Sequence, residues 1–264
     1  MGVVNVTPDS FSDGGAHLDP AAAIHHAERL VAEGADLLDI GGESTRPGAA
    51  PVPAAEQWAR IAPVLGVALG LGVPVSVDTS DPEVMERALA LGVDIVNDVR
   101  ALARPGALEV VARHTAGVCL MHIAGEPATM QRTPLEAPDV VAAVGDGLKA
   151  RWAAARGHGI ADERIVLDPG IGFGKTPAQN LELLRRQGEL VRLGRPLLVG
   201  WSRKSTLGVI TGRVAAADRV AASVAAALLA AQRGAAVLRV HDVAATVDAL
   251  AVWRAAATES ARGG

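Results

Sequence analysis

Ile165-Val166-Leu167-Asp168-Pro169-Gly170-Ile171-Gly172-Phe173-Gly174-Lys175 joins an apolar strand to a glycine-rich loop, with a carboxylate at the seam. A strand that delivers Asp168 at its last residue and then breaks into a glycine-rich connection is how a site is built on a rigid support. Two phosphate-loop readings fail on spacing. A Walker A loop needs glycine five positions before Gly174, where Pro169 stands, and the dinucleotide fingerprint would put its third glycine at Lys175. Thr176-Pro177-Ala178-Gln179 then supplies an N-cap, a proline at the first helical position and a capping-box glutamine. The local order is strand, carboxylate, loop, helix.

That order recurs. Short apolar runs at Val3–Val6, Leu37–Gly41, Val73–Asp78, Ile95–Asn97, Val118–Met121, Ile165–Asp168, Leu197–Gly200 and Val237–Val240 alternate with alanine- and leucine-rich helical segments opened by cap signals such as Asp19-Pro20 and Asp81-Pro82. Strands alternating with helices imply a parallel sheet, and eight such units imply closure into an α/β barrel of the (β/α)8 (TIM) type. An open doubly wound sheet is the alternative. The 264 residues, 50% of them hydrophobic, suffice for one large core in a single domain.

Composition narrows the partners. A formal charge of -4 argues against a polyanion, and 2% aromatic residues leave little for base stacking, so no nucleic acid is expected. The single cysteine, Cys119, lies in an apolar strand and reads as a small buried hydrophobe in a reducing compartment. The longest apolar run, Val220 to Ala231, is too short to span a bilayer, and the start of the chain lacks a basic region followed by an apolar stretch. A soluble cytoplasmic protein without membrane association is expected.

In a barrel the strand ends share one rim, and polar residues gather there. Asn5 ends the first strand, either as the cap of the following turn or as a site residue. The second strand carries Asp39, read as a structural carboxylate, and runs into Gly41-Gly42-Glu43-Ser44-Thr45-Arg46-Pro47-Gly48, read as a lid with a hydroxyl and a guanidinium over the mouth. Asp78 ends the third strand and Asn97-Asp98 the fourth, with helix capping an alternative for Asp98. His122, after the fifth strand, is read as hydrogen-bonded structure. Gly200-Trp201-Ser202-Arg203-Lys204-Ser205 follows the seventh strand. Arg239 and His241, two apart on the eighth, share a face, where with Lys204 they match the phosphate position of this barrel class. The two phenylalanines, Phe11 and Phe173, fall in rim loops of a chain without tyrosine, which favours covering a flat ligand. Neither histidine-rich metal spacing nor a Gly-x-Ser-x-Gly elbow is present. The rim suits a flat heterocycle with several N–H donors joined to a phosphate-type leaving group.

Asn5 to Gly15, Gly41 to Gly48, Asp168 to Lys175, Ser202 to Ser205 and Arg239 to Asp242, in that order, resemble the signature segments of the dihydropteroate synthase family across nearly the whole chain. The resemblance implies a barrel domain over 1–258 with a short polar tail at 259–264, and a homodimer. It implies that 6-hydroxymethyl-7,8-dihydropterin diphosphate is joined to 4-aminobenzoate to give 7,8-dihydropteroate and diphosphate, with C–O cleavage leading bond formation. By resemblance, Asp13, Asp78, Asp168 and Lys204 are the catalytic set. Thr45, Asp78, Asn97, Asp168, Lys204, Arg239 and His241 hold the pterin diphosphate. Arg46, Pro47, Phe173 and Ser205 hold the aminobenzoate, and Asn5 is the ligand of a Mg2+ cofactor. Two departures bear on packing behind the aminobenzoate site: Thr206 replaces a bulky aromatic, and Trp201 stands where a small residue is usual. The chain also starts almost at its first strand, where family members commonly carry an upstream segment over the barrel floor.

Overall fold

The computed structural model describes residues 1–7, 20–44, 49–125, 129–130 and 134–259. Its strands are β1 Gly2–Asn5, β2 Leu38–Gly41, β3 Val75–Asp78, β4 Ile95–Asp98, β5 Gly117–Met121, β6 Ile165–Asp168, β7 Leu198–Val199 and β8 Val237–Leu238. β1 to β6 pair in chain order, and β7 pairs with β8. Single parallel bridges, Leu167 to Leu197 and Gly2 to Val240, join the two sets at both seams. Hydrogen bonds cross each seam: Leu167 N to Pro196 O at 3.0 Å, and Val3 N to Val240 O at 3.1 Å. The strands therefore complete a ring. This is the barrel expected from the alternation, and the open sheet is set aside.

Strand limits shift where local chemistry requires it. β3 begins at Val75 rather than Val73, because Pro74 has no N–H for the ladder. β8 is regular for two residues, but Arg239 N still donates to Val199 O at 3.0 Å, so the chain stays extended into the seam.

The helices are α1 Pro20–Ala32, α2 Ala54–Ala68, α3 Pro82–Leu91, α4 Ala107–Ala112, α5 Val140–Gly157, α6 Pro177–Arg185, α7 Gln187–Val191, α8 Ser205–Thr211, α9 Val220–Gln232 and α10 Val243–Glu259. Their starts follow the cap chemistry. Asp81 accepts Glu83 N at 3.0 Å ahead of Pro82, and Thr176 with Gln179 forms the reciprocal capping box at α6. Each such cap stabilises its helix by about 1 kcal/mol. α10 runs through Glu259.

The period-two alternation of the strands separates two environments. Leu38, Ile40, Val75, Val77, Val96, Leu120, Ile165 and Leu167 belong to one core with helix residues such as Leu30, Ile61, Leu65, Met85 and Leu148. Burying each of these stabilises the fold by about 2 kcal/mol. Their neighbours along the strands, Asp39, Ser76, Asp78, Asn97, Cys119 and Asp168, are also buried but lie outside that core. The apolar jacket thus supports a polar barrel interior. Gly41 makes room there: a Cβ at this position would lie 3.2 Å from Asp78 Cβ. Among the described residues no single helix is long and apolar enough to cross a membrane.

Candidate active site

A cavity of about 560 Å³ opens at the C-terminal ends of the strands. Asn5, Asp78, Asn97, Met121, Asp168, Gly200, Arg239 and His241 reach it from the strand ends or just beyond them, Phe173, Ser202 and Lys204 reach it from loops, and Ser205 from the first residue of α8. One rim therefore gathers Asn5, Asp78, Asn97, Asp168, Lys204, Arg239, His241, Phe173 and Ser205. Asp13, Thr45, Arg46 and Pro47, together with Phe11, lie outside the described residues.

The strand register sets each acid at the same rim level, with β4 and β5 between Asp78 and Asp168. Gly41 pairs with Asp78, Asp78 with Asn97, and Met121 with Asp168. Arg239 spans the mouth: its Nε donates to Asp39 Oδ2 at 2.6 Å and its Nη2 to Asp78 Oδ2 at 2.8 Å. Burial pushes the Asp78 carboxyl up to about 7, against the pull of Arg239, while Asp39, Asp98 and Glu43 add to the rise. Burial raises Asp168 to about 6, opposed by the Gly170 N–H that its Oδ1 accepts at 2.7 Å and by Lys204 and Lys175. Burial alone would weaken the Arg239 charge, but Asp39 and Asp78 hold its pKa above the ordinary value.

On the basic side, burial lowers Lys204 to about 8, helped by Arg239. Its Nζ lies 4.2 Å from the Phe173 ring centroid, a cation–π contact. Burial, followed by Arg239, Arg203 and Lys204, pushes His241 down to about 3, which leaves it neutral. The Ser202 hydroxyl accepts the His241 backbone N–H at 3.1 Å and sits 3.0 Å from its Nδ1.

The loop after Asp168 is held by a residue that sequence reading passed over. Lys175 is buried, and its Nζ donates to the carbonyls of Gly170 at 2.9 Å, Phe173 at 3.0 Å and His122 at 3.3 Å. Gly170, Gly172 and Gly174 all take positive φ. A Cβ on Gly170 would lie 1.9 Å from His122 O. Asn180 completes the frame: its Oδ1 accepts Gly172 N at 2.9 Å and its Nδ2 donates to Thr206 Oγ1 at 3.0 Å. Thr206 thus supports the loop by a hydrogen bond rather than by aromatic bulk. Trp201 is buried in the main core.

Two expectations change. Asp98 caps no helix: it accepts the Ser80 hydroxyl and the backbone N–H of Arg100 and Leu102 at 2.8 and 2.7 Å, ordering the turn after β4. α4 starts later, after Gly106. Asp39, expected to be a satisfied structural carboxylate, uses only Oδ2, and its Oδ1 has no partner among the described residues. Cys119 is buried, and burial raises its thiol well above the usual range. His122 stays off the cavity, its imidazole against Gly147 of α5. Ser202, Asp39, Lys175, Asn180 and Arg219 are site-forming residues that spacing did not single out. Ser202 and Lys175 lie within the quoted motifs, whereas Arg219, which lines the cavity and donates to Arg203 O at 2.9 Å, carries no local signal.

A family profile described as pterin binding enzyme matches residues 1–241. A dihydropteroate synthase of Neisseria meningitidis serogroup B is 56% identical over 261 residues, covering 97% of this chain and 91% of that protein. A solved dihydropteroate synthase of Xanthomonas albilineans with 4-aminobenzoic acid superposes with a TM-score of 0.92 at 54% identity, covering 97% of this chain and 92% of the other. The same enzyme in complex with 7,8-dihydropteroate gives 0.88 at 51% identity, with the same coverage.

Proposed function

The chain belongs to the dihydropteroate synthase family of pterin-binding enzymes, and from that premise we propose how its own residues carry out the transfer. The reaction joins 6-hydroxymethyl-7,8-dihydropterin diphosphate to 4-aminobenzoate, giving 7,8-dihydropteroate and diphosphate in folate biosynthesis. The observation that supports the division of labour is the convergence of two acids, Asp78 and Asp168, and two cations, Lys204 and Arg239, on one cavity, with Arg239 already paired to Asp78.

Asp78 and Asp168, once ionised, accept adjacent N–H donors of the pterin as charge-assisted pairs. Asn97 and Lys204 hold further ring atoms, with Thr45 as another pterin contact. Arg239 and neutral His241 bind the diphosphate as the C–O bond breaks. The bonding electrons leave with the diphosphate, and Asp78 and Asp168 stabilise the pterin methylene cation. The aminobenzoate nitrogen then forms the new C–N bond and gives up a proton. Phe173, Lys204 and Ser205, with Arg46 and Pro47, form the aminobenzoate side. Asp13 and Arg46 belong to the loops that exclude water.

Among the described residues no three acidic, histidine or cysteine side chains converge as a metal site. Asn5 lines the cavity together with Arg239 and His241, and its amide oxygen would be the protein ligand of a Mg2+ brought in on phosphate oxygens. Such an ion would supply charge neutralisation for a departing diphosphate. A homodimer is part of the same reading. Val209, Ile210 and Val214 in and after α8, and Val252 of α10, are 69%, 53%, 90% and 71% exposed. A second copy of the chain would cover them, and sedimentation at micromolar concentration tests this. The free buried thiol of Cys119 suits the reducing cytoplasm.

Incubation with the dihydropterin diphosphate, 4-aminobenzoate and Mg2+ is expected to release diphosphate and form dihydropteroate. Tight pterin binding without product would reduce the protein to a non-catalytic binder.

A further inference from the structure

Asp39 lies one barrel layer below the rim. Its register partner is Ser76, while Gly41, two residues on, pairs with Asp78. It is shut off from solvent. One of its oxygens, Oδ2, takes both Arg239 Nε at 2.6 Å and Asn97 Nδ2 at 3.0 Å. A carboxylate that served only to neutralise a buried guanidinium would receive it on both oxygens, as a fork. Here the fork is split: Arg239 gives Nε to Asp39 and Nη2 to Asp78. Two contacts on one edge of a planar group fix its plane. The contact to Asn97 settles a second orientation. Because an ionised carboxylate only accepts, Asn97 must give Asp39 its amide nitrogen, and its carbonyl oxygen is left for the cavity.

We propose that Asp39 is a positioning residue for the transfer: from beneath the rim it fixes the plane of Arg239 for the leaving diphosphate and the orientation of Asn97 for the pterin. The inference rests on the assignment of those two residues above. When pterin N–H groups claim Asp78, Arg239 keeps Asp39 as its anchor, so the cation is already oriented when charge develops on the diphosphate.

Calorimetry with 6-hydroxymethyl-7,8-dihydropterin and its diphosphate, without aminobenzoate, gives the affinity gained from the diphosphate as a ratio. Arg239→Ala is expected to lower that ratio. Asp39→Asn, with its fold checked by circular dichroism and melting, is expected to lower it about tenfold, and to lower it no further in the Arg239→Ala background. A ratio unchanged in Arg239→Ala overturns the diphosphate assignment and the inference together. A ratio lost in Arg239→Ala but kept in Asp39→Asn overturns the inference alone. Free-pterin affinity is the second arm: Asp39→Asn should add no loss to Asn97→Ala, and additive losses would overturn the coupling. If Asp39→Asn does not fold, Arg239→Lys serves, since it keeps the cation but cannot hold the guanidinium plane. A ratio at the wild-type value in that variant removes the need for positioning.

Discussion

Arg239 and Asp78 meet across the barrel mouth, Nη2 to Oδ2 at 2.8 Å, although 161 residues separate them in the chain. The acid that is to accept pterin N–H groups is therefore already paired with the cation that is to hold the diphosphate. The substrate joins the same two chemistries in one molecule, so its binding replaces an internal pair by two external ones.

Pterin binding should depend on pH through this pair. Burial raises Asp78 to about 7 and Asp168 to about 6. Only the ionised forms accept two ring donors, so free-pterin affinity is expected to hold above pH 7 and fall progressively between 7 and 5.5. Calorimetry across that range checks it. In Asp78→Asn the fall should begin about one pH unit lower, where Asp168 takes its proton; an unchanged midpoint would remove Asp78 from the ring.

Asp168→Asn should trade stability against binding. A carboxyl whose folded pKa is raised from 3.8 to about 6 adds stability that is fully present below 3.8 and lost as pH rises through 6. At pH 8 the ionised group therefore opposes folding, and the neutral amide should raise the free protein's Tm by about 3 °C. The same variant should lose pterin affinity at least tenfold, because the charged acceptor is gone. A lower Tm together with intact binding would contradict both halves.

Lys175→Met removes three donors from three loop carbonyls while keeping an apolar stem. Each buried acceptor left without a partner costs about 1–3 kcal/mol, so Tm should fall by several degrees. Release of the Phe173 carbonyl should also raise KM for aminobenzoate more than KM for the pterin diphosphate. Steady-state kinetics on the folded variant measure that difference; a fall in Tm with both KM values unchanged would confine Lys175 to stability.

Gly170→Ala is a backbone test of the same loop. The added carbon would meet His122 O at 1.9 Å, and φ of +66° already disfavours any side chain there. The expected outcome is loss of cooperative melting or a Tm too low for soluble expression. Gly172→Ala, whose Cβ would meet only the Lys204 side chain at 3.2 Å, should cost less. Equal melting of the two would mean the loop relaxes freely.

Local sequence determined the alternation of strands and helices, because period-two strand faces and cap chemistry such as Thr176 with Gln179 act over a few residues. It also determined which end of each strand carries a polar group, hence that Asn5, Asp78, Asn97 and Asp168 would share a rim if the sheet closed. Tertiary structure decided the partners. Asp39, read from the sequence as a structural carboxylate, holds a guanidinium 200 positions away. Ser202 meets both the backbone N–H and Nδ1 of His241, and the carbonyls that trap Lys175 come from two loops. The physical reason is that residue spacing fixes the face a side chain takes along its own strand, whereas what it meets across a barrel depends on the register and stagger of every intervening strand, and these exist only once the ring has closed.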